Sequence, residues 1–140
     1  MRIEALKYFV GMVEKRMKEG YYDKVLGELK KDIDELRSRI DYLSRFELLY
    51  ERALDVMKAN ECPVCGSPVN KAEIEGKLKM IRYKLGNLRD ELAKLIKKRN
   101  EVYAELDEYK RKKVELEGLF KEYERIKREY PEILEEELEG

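Results

Sequence analysis

The chain has 140 residues, of which 44% are charged, with 31 Lys and Arg balanced by 31 Asp and Glu. That balance lacks the basic excess that marks a nucleic-acid binder, and a composition dominated by Glu, Lys, Leu and Arg points to long helices rather than a globular core. Gln, Thr, His and Trp are absent, a bias shared with hyperthermophile proteins.

Residues 2 to 18 carry an apolar stripe at Ile3, Leu6, Val10, Val13 and Met17. The spacing alternates three and four, as a coiled-coil seam requires. Gly20 follows, and beyond Tyr21 and Tyr22 the stripe resumes two positions out of phase, which predicts a break in the helix. The seam then runs Leu26, Leu29, Ile33, Leu36, Ile40, Leu43, Glu47, Tyr50, Leu54 and Met57, with only Glu47 polar. This defines a first arm over about 2–58.

Residues 59–70 interrupt the pattern and hold both cysteines and two of the three prolines. Asn70 with Glu73 predicts a capping box for the next helix. Ser67 followed by Pro68 is an alternative start. A second arm over about 71–130 continues as Ile74, Leu78, Ile81, Leu85, Leu88, Leu92, Leu95, Arg99, Val102, Leu106, Tyr109, Lys113, Leu116, Phe120, Tyr123, Lys127 and Tyr130. At 1.5 Å per residue such an arm is about 90 Å long. Pro131 ends it, leaving an acidic tail over 131–140.

The arms match in length, so the expected fold is all-α: an antiparallel coiled-coil hairpin with the cysteine turn at its tip. Met57 then faces Ile74, Tyr50 faces Ile81, Leu43 faces Leu88 and Leu26 faces Leu106. Glu19 falls opposite Lys113, Val13 opposite Phe120 and Ile3 opposite Tyr130. Both ends of such a hairpin lie together with no second core, as in a piece of a longer molecule.

Cys62 and Cys65 have two residues between them, which lets two thiolates converge on one metal ion. Pro63 fixes φ within the turn. Gly66 can take φ > 0 and direct backbone N–H groups toward the Cys62 sulfur. Structural zinc takes four ligands, and the chain supplies two cysteines and no histidine. Glu61 and Glu73 are nearby oxygen donors, but closed structural sites favour sulfur and nitrogen. The simplest completion is a second copy of the chain: one Zn(2+) per two chains, held by four thiolates on a two-fold axis.

Two other readings of the cysteines are a dithiol redox centre and an incidental pair in a metal-free structural coiled coil. Redox dithiols place the first cysteine at a helix N-terminus after a strand, and no strand pattern occurs here. The basic runs at 97–99 and 110–113 alternate with acidic residues, as on a solvated helix flank. Tyr8, Tyr42, Tyr83 and Tyr103 fall off the seam, where they can cover flanks or contact a partner. No phosphate loop or catalytic set is present, so no enzyme activity is expected of this chain. No apolar run is long enough to span a membrane and no signal peptide is evident. Closely spaced cysteines in such a chain suggest a cytoplasmic or nucleoid location.

Cys62-Pro63-Val64-Cys65-Gly66 between two coiled-coil arms, followed by the polar helix cap Asn70 and an acidic first turn, resembles the zinc hook of the SMC-like DNA double-strand-break repair ATPases of the Rad/SbcC family. The specific similarity covers about a dozen residues around the turn. It implies a zinc-mediated homodimerisation module, of archaeal origin, in which Cys62 and Cys65 of each copy bind one shared Zn(2+). Pro63, Val64, Gly66, Pro68 and Val69 would then form the interface around the metal, with Lys58 and Lys71 offsetting the charge of four thiolates. The family's ATPase heads, Mre-type nuclease partner and DNA contacts belong to segments that this chain lacks. No direct DNA binding is implied for it.

Overall fold

A computed structural model of the chain describes residues 2–57, 60–62, 65–68 and 70–132. Among these the fold is all-α: α1 (Arg2–Lys18), α2 (Tyr21–Val56) and α3 (Lys71–Glu129), with no strand. Charges suit the helix dipoles, with Glu4, Asp23 and Glu73 in first turns and Lys15, Arg16 and Lys18 closing α1. No described helix is long and apolar enough to cross a membrane.

The start of α3 follows the capping-box reading. The Glu73 N–H donates to Asn70 Oδ1 at 3.3 Å, and the Ile74 N–H donates to the Asn70 carbonyl at 3.2 Å. Asn70 is therefore the N-cap. The alternative start is not adopted, because Pro68 is engaged in an isolated antiparallel bridge with Glu61. The break at Gly20 is also present. Gly20 has φ +72°, its N–H donates to the Met17 carbonyl, and its own carbonyl accepts from the Lys24 N–H as α2 begins. A left-handed residue closing a helix is where glycine is favoured.

Two compact units are distinguished, Gly27–Arg99 and Met1–Leu26 with Asn100–Gly140. In the Gly27–Arg99 unit the buried side chains are Leu29, Ile33, Leu36, Met57, Leu78 and Leu85, every one a seam position. Leu43 and Leu88 line one groove, and Leu36 and Leu95 another. The polar interruption at Glu47 is met by charge: Arg82 pairs with Glu47 at 3.6 Å and with Glu51. Arg99, also on the seam, is half-buried with its Nε unpartnered among the described residues, and nothing in the structure explains it.

In the other unit the core is Leu6, Val10, Val13, Tyr22, Tyr109 and Leu116, joined by Ile3, Phe9, Met12, Val102, Leu106 and Leu119. Here the seam pattern is corrected. Met17, Phe120 and Tyr130 are exposed, whereas Leu119 packs on the core and Ile126 is half-buried. From Leu116 onward the stripe is Leu119, Tyr123 and Ile126, which replaces Lys127 by an apolar side chain.

The pairing of α1 with α3 differs from the expected register too. Ile3 is placed opposite Tyr130 by the seam, yet its neighbour Arg2 pairs with Glu115, Nε to Oε1 at 2.6 Å. Lys7 rather than Val13 meets Phe120, its Nζ lying 4.9 Å from the ring centroid. Lys112 lies 4.3 Å over Phe9, and Arg16 pairs with Glu105 at 3.1 Å. These pairs set α1 nearer the middle of α3 than the expected register does, on the far side of the Gly20 break. Tyr22 then fills a core place.

Candidate metal centre

The turn between α2 and α3 is built from short backbone bonds. The Cys62 N–H donates to the Ser67 carbonyl and the Gly66 N–H to the Cys62 carbonyl, both at 2.9 Å. With the Glu61–Pro68 bridge, these tie the two sides of the turn together. Gly66 has φ +71°, a conformation that glycine adopts without steric cost. The positive φ expected of Gly66 is thus present, and its own N–H closes the turn on the Cys62 carbonyl. Asn60 adds a clamp at the far side, its Oδ1 accepting from the Lys71 N–H at 3.1 Å.

Both cysteines are free thiols, with Cys62 half-buried and Cys65 exposed. Cys65 Sγ lies 3.0 Å from Ser67 Oγ. The Ser67 hydroxyl, then the Ser67 backbone, then the Cys62 side chain hold the Cys65 thiol below its usual range, because each stabilises the thiolate. A thiolate is the form that binds metal. Ser67 had no such role in the sequence reading; a hydroxyl two residues beyond the second cysteine was the available signal. Asn60 was overlooked as well, although an amide directly before the cysteine segment fits a turn clamp.

Among the described residues no three or more His, Cys, Asp or Glu side chains come together as a metal-binding group. Glu61 and Glu73 therefore do not join the cysteines in a three-ligand set. Gly66 and Pro68 are exposed, and Lys71 is half-buried at the first turn of α3. Pro63, Val64, Val69 and Lys58 lie outside the described residues, as does the tail from 133. The donor set of one chain, two sulfurs on a backbone-braced turn with one thiol biased toward thiolate, suits half of a tetrahedral zinc site.

No family model, curated protein or solved structure matches the chain.

Proposed function

We propose that this chain is a metal-mediated dimerisation module: an antiparallel coiled-coil hairpin whose cysteine turn supplies half of a four-thiolate zinc site. Cys62 and Cys65 of each of two copies hold one Zn(2+), and the bound ion contributes the link between them. The observation that carries this reading is the Cys65 environment. An exposed thiol 3.0 Å from the Ser67 hydroxyl, three residues from a second free thiol on the same backbone-braced turn, is open to a metal from outside the chain. Two ligands per chain leave the coordination incomplete unless another copy contributes.

In this reading the module joins coiled-coil arms of a DNA double-strand-break repair ATPase and so tethers DNA-bound complexes. The resemblance of residues 62–66 to a zinc hook supports it. The helices act as arms and carry no catalysis.

Titration with Co(2+) tests the shared site directly. Charge-transfer absorption of a tetrahedral four-thiolate site, saturating at one cobalt per two chains, is the predicted outcome. Saturation at one cobalt per chain with an oxygen-rich spectrum would refute it.

The lowered Cys65 thiol also favours a second reading, a dithiol redox protein, because low pKa is what such chemistry needs. Against it, the cysteines precede α3 by several residues rather than sitting at its N-terminus. Turnover of a small disulfide substrate separates this reading from the first.

A further inference from the structure

A coiled-coil seam presents the same face again after each heptad, so a helix can slide by one repeat and still dock. The pairing of α1 with α3 shows such a slide. Lys7 stands at Phe120 where heptad spacing alone puts Val13, six residues on and so close to one repeat. The slide is taken up at Gly20. Arg16 and Tyr22 both lie beside Glu105, although residues six apart on a straight helix are about 9 Å apart along its axis. The chain steps back on itself between α1 and α2.

Beyond Leu116, α3 carries two overlapping apolar stripes. Leu119 and Ile126 belong to the one in use, and Tyr123 is common to both. Phe120 and Tyr130 belong to the other and are 37% and 55% exposed, as is Met17 on α1 at 49%. Scattered exposed apolar residues are ordinary. These three differ in that one alternative pairing, the unshifted register, places all of them on the seam.

We infer that α1 has a second docking position on α3, one heptad nearer Tyr130, reached when Gly20 passes from its φ of +72° to a helical φ. The joint is then helical throughout, Val13 meets Phe120 and Ile3 meets Tyr130. Glycine suits the exchange because it takes both signs of φ about equally readily. What is lost and gained is modest on each side. Leaving the observed position gives up Arg2–Glu115 and Arg16–Glu105, whose side chains are partly or largely exposed, so neither pair contributes much. The contacts of Lys7 with Phe120 and of Lys112 with Phe9 are lost as well. In return Met17, Phe120 and Tyr130 are covered, while Leu6, Val10 and Val13 stay on the seam in both positions. The device lies wholly within the unit of Met1–Leu26 with Asn100–Gly140 and does not depend on the metal reading.

Double electron–electron resonance on the full chain tests this, with spin labels at Tyr8→Cys and Val114→Cys in a Cys62→Ser/Cys65→Ser background. Both label sites are strongly exposed and off the seam, so helicity by circular dichroism should match the native chain. The background leaves no native thiol to take label or bind metal. One heptad of travel moves the α1 label about 10 Å along α3. With Gly20 in place, one distance should dominate. Gly20→Ala penalises the left-handed joint and should raise the weight of a second, discrete distance roughly five- to thirty-fold. A Cβ there meets no other atom within 4 Å, so the change acts through φ. Gly20→Asn, a residue that tolerates positive φ, should keep the dominant distance. A single, unchanged distance in Gly20→Ala would overturn the inference. A broad continuous distribution would overturn it too, since α1 would then fray rather than dock again. Equal shifts in the alanine and asparagine variants would also count against it, because φ at residue 20 would not be the control.

Discussion

At the scale of single residues, the behaviour of the turn is concentrated in Cys65 and its neighbour Ser67. The lowered thiol pKa means that thiolate persists to a lower pH than in an ordinary cysteine, and is lost as pH falls through that lowered value. In metal-free protein, the exposed Cys65 should also be alkylated ahead of the half-buried Cys62. Its rate profile should rise at lower pH than that of a free thiol. Ser67→Ala should move the Cys65 profile back up, because the first cause of the shift is removed. Equal alkylation of the two cysteines, unaffected by Ser67→Ala, would contradict this account of the site. Metal binding needs deprotonated sulfur, so the proposed dimer should also dissociate as pH is lowered.

At the scale of elements, one glycine and one asparagine set where helices stop and start. Gly20→Ala forces an L side chain into the left-handed region and should destabilise the chain by about 1–2 kcal/mol. The added methyl meets no other atom within 4 Å, so the cost is conformational. Asn70→Ala removes the α3 cap and should cost about 1 kcal/mol. Leu85→Ala, at a position with no exposed surface, should cost roughly 2–5 kcal/mol. Denaturant midpoints with an unchanged slope would measure all three. A Gly20→Ala variant as stable as the native chain would show that the joint is not held at positive φ.

Much of this element level was legible in the sequence. The Gly20 break, the Asn70 cap and the buried positions Leu29, Ile33, Leu36, Leu78 and Leu85 follow from heptad spacing and capping chemistry. The register of α1 was not legible. A phase shift at Gly20 tells that the helix is interrupted, but not how far along α3 the chain re-engages. That depends on the φ of one glycine and on which ring fills the joint, here Tyr22. The change of stripe from Phe120 to Leu119 was hidden for a related reason. Both residues are apolar, and only the packing against Leu6, Val10 and Val13 distinguishes them. At the turn, the cysteine spacing was plain, whereas the Ser67–Cys65 contact required the backbone bonds that fold residue 67 back toward residue 62.

At the scale of the whole molecule, the described structure is three helices with almost every turn of sequence committed to a seam or a charged flank. Burial of Tyr22 beside Arg16 and Glu105 pushes its phenol above the usual range, desolvation outweighing the opposing effect of the Arg16 guanidinium. The cysteine turn carries the ligands of the proposed metal site. Cys62→Ser should therefore abolish zinc-dependent dimers while leaving helicity nearly intact, read by circular dichroism and solution mass on one sample. The proposed division of labour is that helices provide reach and the turn provides the link.

The most direct test of that link is the solution mass of the native chain together with its zinc content, with and without a strong chelator. The account predicts one zinc per two chains, with metal and dimer lost together on chelation. A chain that remains monomeric with excess zinc present would contradict it.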